Sequence, residues 1–190
     1  MEEHASEWEL ISQYALKIKA GYVRAVEDVE PDGDCFYSSL RAGNRRISAK
    51  SVSQIRNELY EFCVGKGEKY FDEVVMLFGD KQARYYARDI QGTGWGGTIS
   101  SIMVLLLYRI RILFVGRIEG GGFEITEDNL MNWKHVVKQR PRLDDSLGVV
   151  RCDKKVFMLH HQVGRPLSFN IVRNHFSPLC RSLNQRTFPS

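Results

Sequence analysis

The sequence predicts an α+β fold in which helices fill the first hundred residues and strands come last. Three observations carry that expectation. Apolar residues between 36 and 90 recur at three- and four-residue spacing, which marks helices with one buried face. After Arg109 the pattern changes to the alternation of half-buried strands. The late strands are separated by long insertions with no βαβ alternation, which points to an antiparallel sheet packed between helices.

The composition fits a globular chain with a sizeable core: 190 residues, 43% hydrophobic and 26% charged. The longest apolar run, Ile102 to Tyr108, is far shorter than the roughly 18 residues of a membrane span. The N-terminus is acidic (Glu2, Glu3, Glu7, Glu9) and lacks the basic flank and apolar core of a signal peptide, so an intracellular protein, of cytoplasm or nucleus, is expected. Cys35, Cys63, Cys152 and Cys180 form no C-x-x-C pair and have no histidine at zinc-ligand spacing, so reduced thiols and neither metal nor cofactor are expected. The net charge of +4 is uneven: residues 1–30 carry seven acids against three bases, and residues 165–190 carry four arginines and no acid. No nucleic-acid motif accompanies these arginines, and the aromatics do not interleave with them, so a solvated surface is the reading and no nucleic-acid partner is expected. Nothing in the pattern speaks to oligomeric state.

In chain order, residues 5–19 place Trp8, Ile11, Tyr14, Ala15 and Ile18 on one face of an amphipathic helix. Residues 22–29 read as a weak extended segment. A helix is expected from Cys35 onward, with Phe36, Tyr37 and Leu40 inward. Ser51 or Ser53 can cap the next helix, with Val52, Ile55, Leu59 and Phe62 inward and an end near Gly65. Tyr70, Phe71, Val74, Val75 and Phe78 continue the helical pattern to Gly79, and Asp80 opens a further helix with Ala83, Tyr86, Ala87 and Ile90 inward. A four-glycine loop around Trp95 follows, and Thr98 can cap the helix Ile99–Tyr108, apolar nearly all round. Arg109 to Gly116 reads as a strand, Gly120 to Gly122 as a turn into Phe123 and Ile125, and residues 127–148 as a long exposed connection. Lys155 to Val163 and His175 to Leu179 read as strands.

Chemistry concentrates at Pro31-Asp32-Gly33-Asp34-Cys35-Phe36-Tyr37. Proline, Asp and Gly break regular structure, and the helix that starts next puts Cys35 on its first turn. Unbonded N–H groups and the positive dipole end favour an anion there, such as a thiolate or the oxyanion of acyl transfer. A buried structural cysteine is the plain alternative, and for a lone cysteine it is the better reading. A cysteine nucleophile needs a base, usually histidine. Of the five histidines, His4 lies in a frayed terminus, His135 in the long connection, and His160 and His161 in mid-strand. His175, between Asn174 and Phe176 at a strand entrance, is only modestly favoured by pattern over His160.

The stretch Asp32-Gly33-Asp34-Cys35-Phe36-Tyr37-Ser38-Ser39-Leu40 resembles the nucleophile motif of the OTU (ovarian tumour) cysteine proteases, most of them deubiquitinases. Ser53-Gln54-Ile55-Arg56 resembles the family's second helix. Tyr85-Tyr86-Ala87-Arg88-Asp89 with Gly94-Trp95-Gly96-Gly97 resembles its helix-to-Trp-Gly-Gly segment, and Ile110-Arg111-Ile112 the strand after it. Asn174-His175-Phe176 resembles its His-aromatic motif. Any one block is weak; together, in the family's order, they cover about residues 23–180.

The resemblance implies a papain-like OTU fold and three units: an accessory helix over 1–21, a catalytic domain over 22–181 and a flexible tail over 182–190. It implies that Cys35 attacks the carbonyl of the C-terminal glycine of ubiquitin or a ubiquitin-like modifier in its conjugates. His175 would be base and then acid, and Asp32 would hold the turn and shape the oxyanion site. Trp95, Gly96 and Gly97 would line the channel for the substrate's Gly-Gly tail. The family usually has Asn or Asp two residues after the histidine; Ser177 stands there, followed by Pro178. Some viral relatives of this fold work with a Cys–His pair and no acidic orienter. Two other readings are a catalytically weak or inactive ubiquitin-binding module of the same fold, and a cysteine peptidase or acyltransferase acting on another acyl donor.

Overall fold

The computed structural model describes residues 23–25, 29, 32–79, 82–117, 123–143, 154–163 and 173–181. The expected helix over 5–19, the helix start at Asp80, the glycine turn at 120–122 and the tail over 182–190 lie outside the described residues. The elements are β1 (Val23–Ala25), α1 (Cys35–Gly43), α2 (Arg45–Ser48), α3 (Val52–Val64), α4 (Glu68–Phe78), α5 (Ala83–Gln91), α6 (Thr98–Tyr108), β2 (Arg111–Arg117), β3 (Phe123–Glu127), α7 (Asp128–Gln139), β4 (Lys155–Val163) and β5 (Arg173–Arg181). Helices precede most of the sheet, as expected for α+β.

Local chemistry sets the helix ends. Ser51 caps α3 by accepting from the Gln54 N–H at 3.1 Å, while the Gln54 side chain accepts from the Ser51 N–H at 2.7 Å, a reciprocal capping box. α6 starts at Thr98 itself with Gly97 at the N-cap and no side-chain cap, one residue earlier than the sequence suggests. It ends on Arg109, whose φ of 59° is the left-handed turn that hands the chain to β2.

The strands form one sheet in the order β1-β5-β4-β2-β3. Three junctions are antiparallel, as the sequence suggests. The fourth, β2 with β4, is parallel, with Ile112 opposite Val156 and Phe114 opposite Met158. The sheet is therefore mixed. A parallel pair needs a crossover of a dozen residues or more, and β3, α7 and the chain after it supply that length. Both faces of the central strands are buried: Ile112, Val156 and Met158 join the main core, and Leu113, Val115, Phe157 and Leu159 are covered on the other side.

The described part of 127–148 is not an exposed connection. α7 occupies most of the segment and buries Asn129, Leu130, Trp133 and Val136. The Asn129 side chain donates to Ser101 O at 3.0 Å and Ile110 O at 2.9 Å and accepts from the Ile112 N–H at 2.9 Å, tying α7 to α6 and the start of β2. Among the described residues no helix is long and apolar enough to cross a membrane.

Candidate active site

The Cys35 turn is built by Asp32. Its carboxylate accepts the Asp34 N–H at 2.9 Å, and its carbonyl accepts the Cys35 N–H at 3.2 Å. Cys35 is the first residue of α1, so its sulfur sits at the positive end of the helix dipole. It is 1% exposed, inside the main core beside Phe36 and Tyr37. Burial pushes the Tyr37 phenol above its ordinary range.

The histidine strand reaches this turn through its backbone. Among the described residues β1 pairs with β5 from Leu179 to Arg181, and at Phe176 it is α1 that bonds the strand edge. The Phe176 N–H donates to Cys35 Sγ at 3.4 Å, and Ser39 Oγ, one turn along α1, donates to the Phe176 carbonyl at 2.9 Å. Two side chains of a helix thus satisfy both backbone groups of one strand residue, as a neighbouring strand would. Phe176 also packs its ring on Phe36 and Phe114, with centroids 5.3 Å apart in each case. The N–H on the sulfur belongs to the peptide bond that His175 forms with Phe176, so the His175 α-carbon lies within about 6 Å of Sγ by standard backbone dimensions.

The ladder register places the remaining candidates. His175 lies opposite His161, Phe176 opposite His160, and Ser177 opposite Leu159. Alternation puts positions 175 and 177 on one face of β5. His135 lies on the exposed side of α7, its ring 6.4 Å from that of Phe78.

The glycine loop divides into three roles. Gly96 is buried under the site: a β-carbon there would lie 2.4 Å from the β-carbon of Phe36, the residue after the cysteine. Gly97 faces open space, and a β-carbon on it would meet nothing within 4 Å. Trp95, 41% exposed, and Gly97 line a cavity of about 260 Å³ together with Phe78, Tyr86 and Thr98. Gly96 is the floor under that wall and does not line the cavity.

Sequence reasoning missed Ser39 and Arg56. Arg56 was visible within the second-helix block, and its spacing to Leu59 and Cys63 puts it on the buried face of α3, yet a search for apolar periodicity passes over a charged residue. Its side chain is 3% exposed and pairs with Asp34 at 2.7 Å.

Neither a family model nor a curated protein matches the sequence. Solved structures do. The OTU domain of OTUD1 is 12% identical, with 90% of this chain and 92% of that chain covered and a TM-score of 0.53. An OTU deubiquitinase from Wolbachia pipientis wMel (16% identical, 83% and 87% covered) and an OTU domain in complex with ubiquitin (15% identical, 83% and 69% covered) give TM-scores of 0.47 and 0.45. At these identities the likeness is one of fold, and the first comparison carries it: the chain has the fold of OTU domains.

Proposed function

We propose that the protein is a cysteine-type deubiquitinase, hydrolysing the (iso)peptide bond after the C-terminal glycine of ubiquitin or a ubiquitin-like modifier. The observation that carries this reading is the Phe176 N–H on Cys35 Sγ, which brings the backbone of His175 beside a cysteine at a helix N-terminus. The ubiquitin-like substrate comes from the resemblance of the four sequence blocks.

In the reaction, His175 takes the thiol proton and Sγ adds to the glycine carbonyl. The oxyanion is held by N–H groups of the turn, among them that of Cys35, which now donates to the Asp32 carbonyl over the long end of the usual range. Collapse expels the lysine amine, which takes the proton from His175, and leaves a thioester on Cys35. Water, deprotonated by His175, then releases the glycine carboxylate and restores the thiol. Asp32 keeps the turn in shape. Trp95 and Gly97 flank the path of the Gly-Gly tail, where a residue without a side chain admits an extended peptide.

Ubiquitin with a C-terminal thiol-reactive warhead tests this. A covalent adduct is expected with the parent chain and none with Cys35→Ala. A folded parent chain that forms no adduct with ubiquitin or any ubiquitin-like modifier overturns the reading. The 1% exposure of Cys35 favours a second reading, a binding module with little turnover. Ubiquitin binding without adduct or chain cleavage would establish that one instead.

A further inference from the structure

Arg56 collects its partners from three separate stretches of chain. Nε and Nη2 donate to Asp34 Oδ1 at 2.9 and 2.7 Å, and Nη2 also to Gly33 O at 2.8 Å, so the guanidinium holds the two residues before Cys35. Nη2 reaches Gly94 O at 3.0 Å, next to Trp95. Nη1 donates to Ile90 O at 2.9 Å and faces Asp89 O at 3.4 Å, carbonyls of the last turn of α5, which is the negative end of that helix. The cation lies 4.2 Å from the centroid of the Tyr37 ring, two residues after the cysteine. Gly33 is in contact with the same loop: a β-carbon on it would sit 2.6 Å from Thr93 O.

We propose that Arg56 is a positioning residue of the site, fixing the Cys35 turn against the Trp95–Gly97 loop and so setting the gap through which a substrate tail reaches the sulfur. It rests on the deubiquitinase reading for the identity of the tail, and on the bond network alone for the coupling of the two walls. Geometry, more than charge, gives Arg56 this role. A planar guanidinium can serve a carboxylate and carbonyls on several sides at once, whereas the single ammonium of lysine cannot span them. Arg56 also engages the carboxylate of Asp34, the N-cap residue of α1, which makes no capping bond of its own. Among the described residues, the charged side chains tied to the turn before the sulfur are Asp32 and Asp34 within it and Arg56 from α3.

The test uses the full chain and Arg56→Lys, with two readouts. The first is turnover of a fluorogenic ubiquitin C-terminal amide, normalised to active sites titrated with the ubiquitin warhead. A fall in kcat/KM of about 30-fold per titrated site is expected, the scale of a small misplacement of reacting groups, while alkylation of Cys35 by iodoacetamide, which needs no channel, stays within about threefold. The second is amide hydrogen exchange read by mass spectrometry. Exchange should quicken by about tenfold in the segments 32–40 and 91–99 together and remain unchanged over 128–139. Uniform acceleration across the chain, or none, overturns the proposal, as does an Arg56→Lys protein whose turnover per titrated site matches the parent. If the parent ignores every ubiquitin probe, the function reading falls and the exchange readout alone decides the role of Arg56. If Arg56→Lys fails to fold, Asp34→Asn takes its place, with the same two segments expected to quicken.

Discussion

Cys35 and Cys63 are both free thiols with 1% exposure in the same core, yet their surroundings are opposite. Cys35 opens a helix, receives the Phe176 N–H, and stands beside a turn held by Asp32 and Arg56. Cys63 sits in the last turn of α3, where the dipole disfavours negative charge, and borders a cavity of about 310 Å³ shared with Phe71 and Ala87. Burial pushes its thiol up to about 12. Burial alone therefore does not separate a structural thiol from a candidate nucleophile; the helix end and the polar partners do.

Each cysteine has a glycine pressed on the aromatic residue beside it, which gives the sharpest test. A β-carbon at Gly96 would lie 2.4 Å from Phe36, next to Cys35, and one at Gly67 would lie 2.4 Å from the Phe62 ring, next to Cys63. Gly96→Ala and Gly67→Ala should each lower stability by ~1–3 kcal/mol through overpacking, measured by urea unfolding. Per folded molecule, turnover should fall on the order of 100-fold in Gly96→Ala, because the shift is passed to the Cys35 turn, and stay at the parent level in Gly67→Ala. Equal losses in the two would erase the distinction between the sites.

Much of this arrangement was legible in the sequence, and the gaps have physical causes. Cys35 at a helix start could be read because turn residues precede an apolar helical face. α7 could not, because charged and polar residues surround Leu130, Trp133 and Val136, and because Asn129 is buried for its three hydrogen bonds. The parallel β2–β4 pair leaves no local trace: register between distant strands is decided by packing. Arg56 escaped for the same reason, since its partners lie 22 to 38 residues away and most are backbone carbonyls, which every residue has.

The second contrast concerns pH. A thiol held protonated up to about 12 in the fold and titrating near its ordinary 9.0 when unfolded costs nothing below that ordinary value. As pH rises from 9 towards 12 the unfolded chain binds fewer protons than the folded one, so stability falls, by about 1.4 kcal/mol per pH unit from this group. Cys63→Ala should remove that increment: its stability, measured against the parent by urea unfolding at pH 8 and pH 10, should decline less. Parallel decline in the two proteins would mean that the Cys63 thiol ionises in the folded state as it does in water.

The finest contrast lies on the histidine side of the Cys35 site. Positions 175 and 177 share a face of β5, and under the proposed mechanism Ser177 is the candidate orienter of the His175 imidazole. A neutral hydroxyl accepting one ring N–H is worth about 1 kcal/mol, so Ser177→Ala should lower turnover by roughly five- to tenfold. Ser177→Asp should equal or exceed the parent, because a carboxylate stabilises the imidazolium better than a hydroxyl. Pro178, the residue opposite Met158, fixes the backbone just beyond and limits how far the new side chain can turn. Turnover of the ubiquitin amide by the three proteins, compared at equal titrated site concentration, distinguishes the outcomes. A loss of about a thousandfold in folded Ser177→Ala would give the hydroxyl a part in the chemistry itself, since orientation through one neutral bond cannot supply so much. No loss would mean that the orienter is not at position 177, and Asn174→Ala and Asn170→Ala would then decide between another orienter and none.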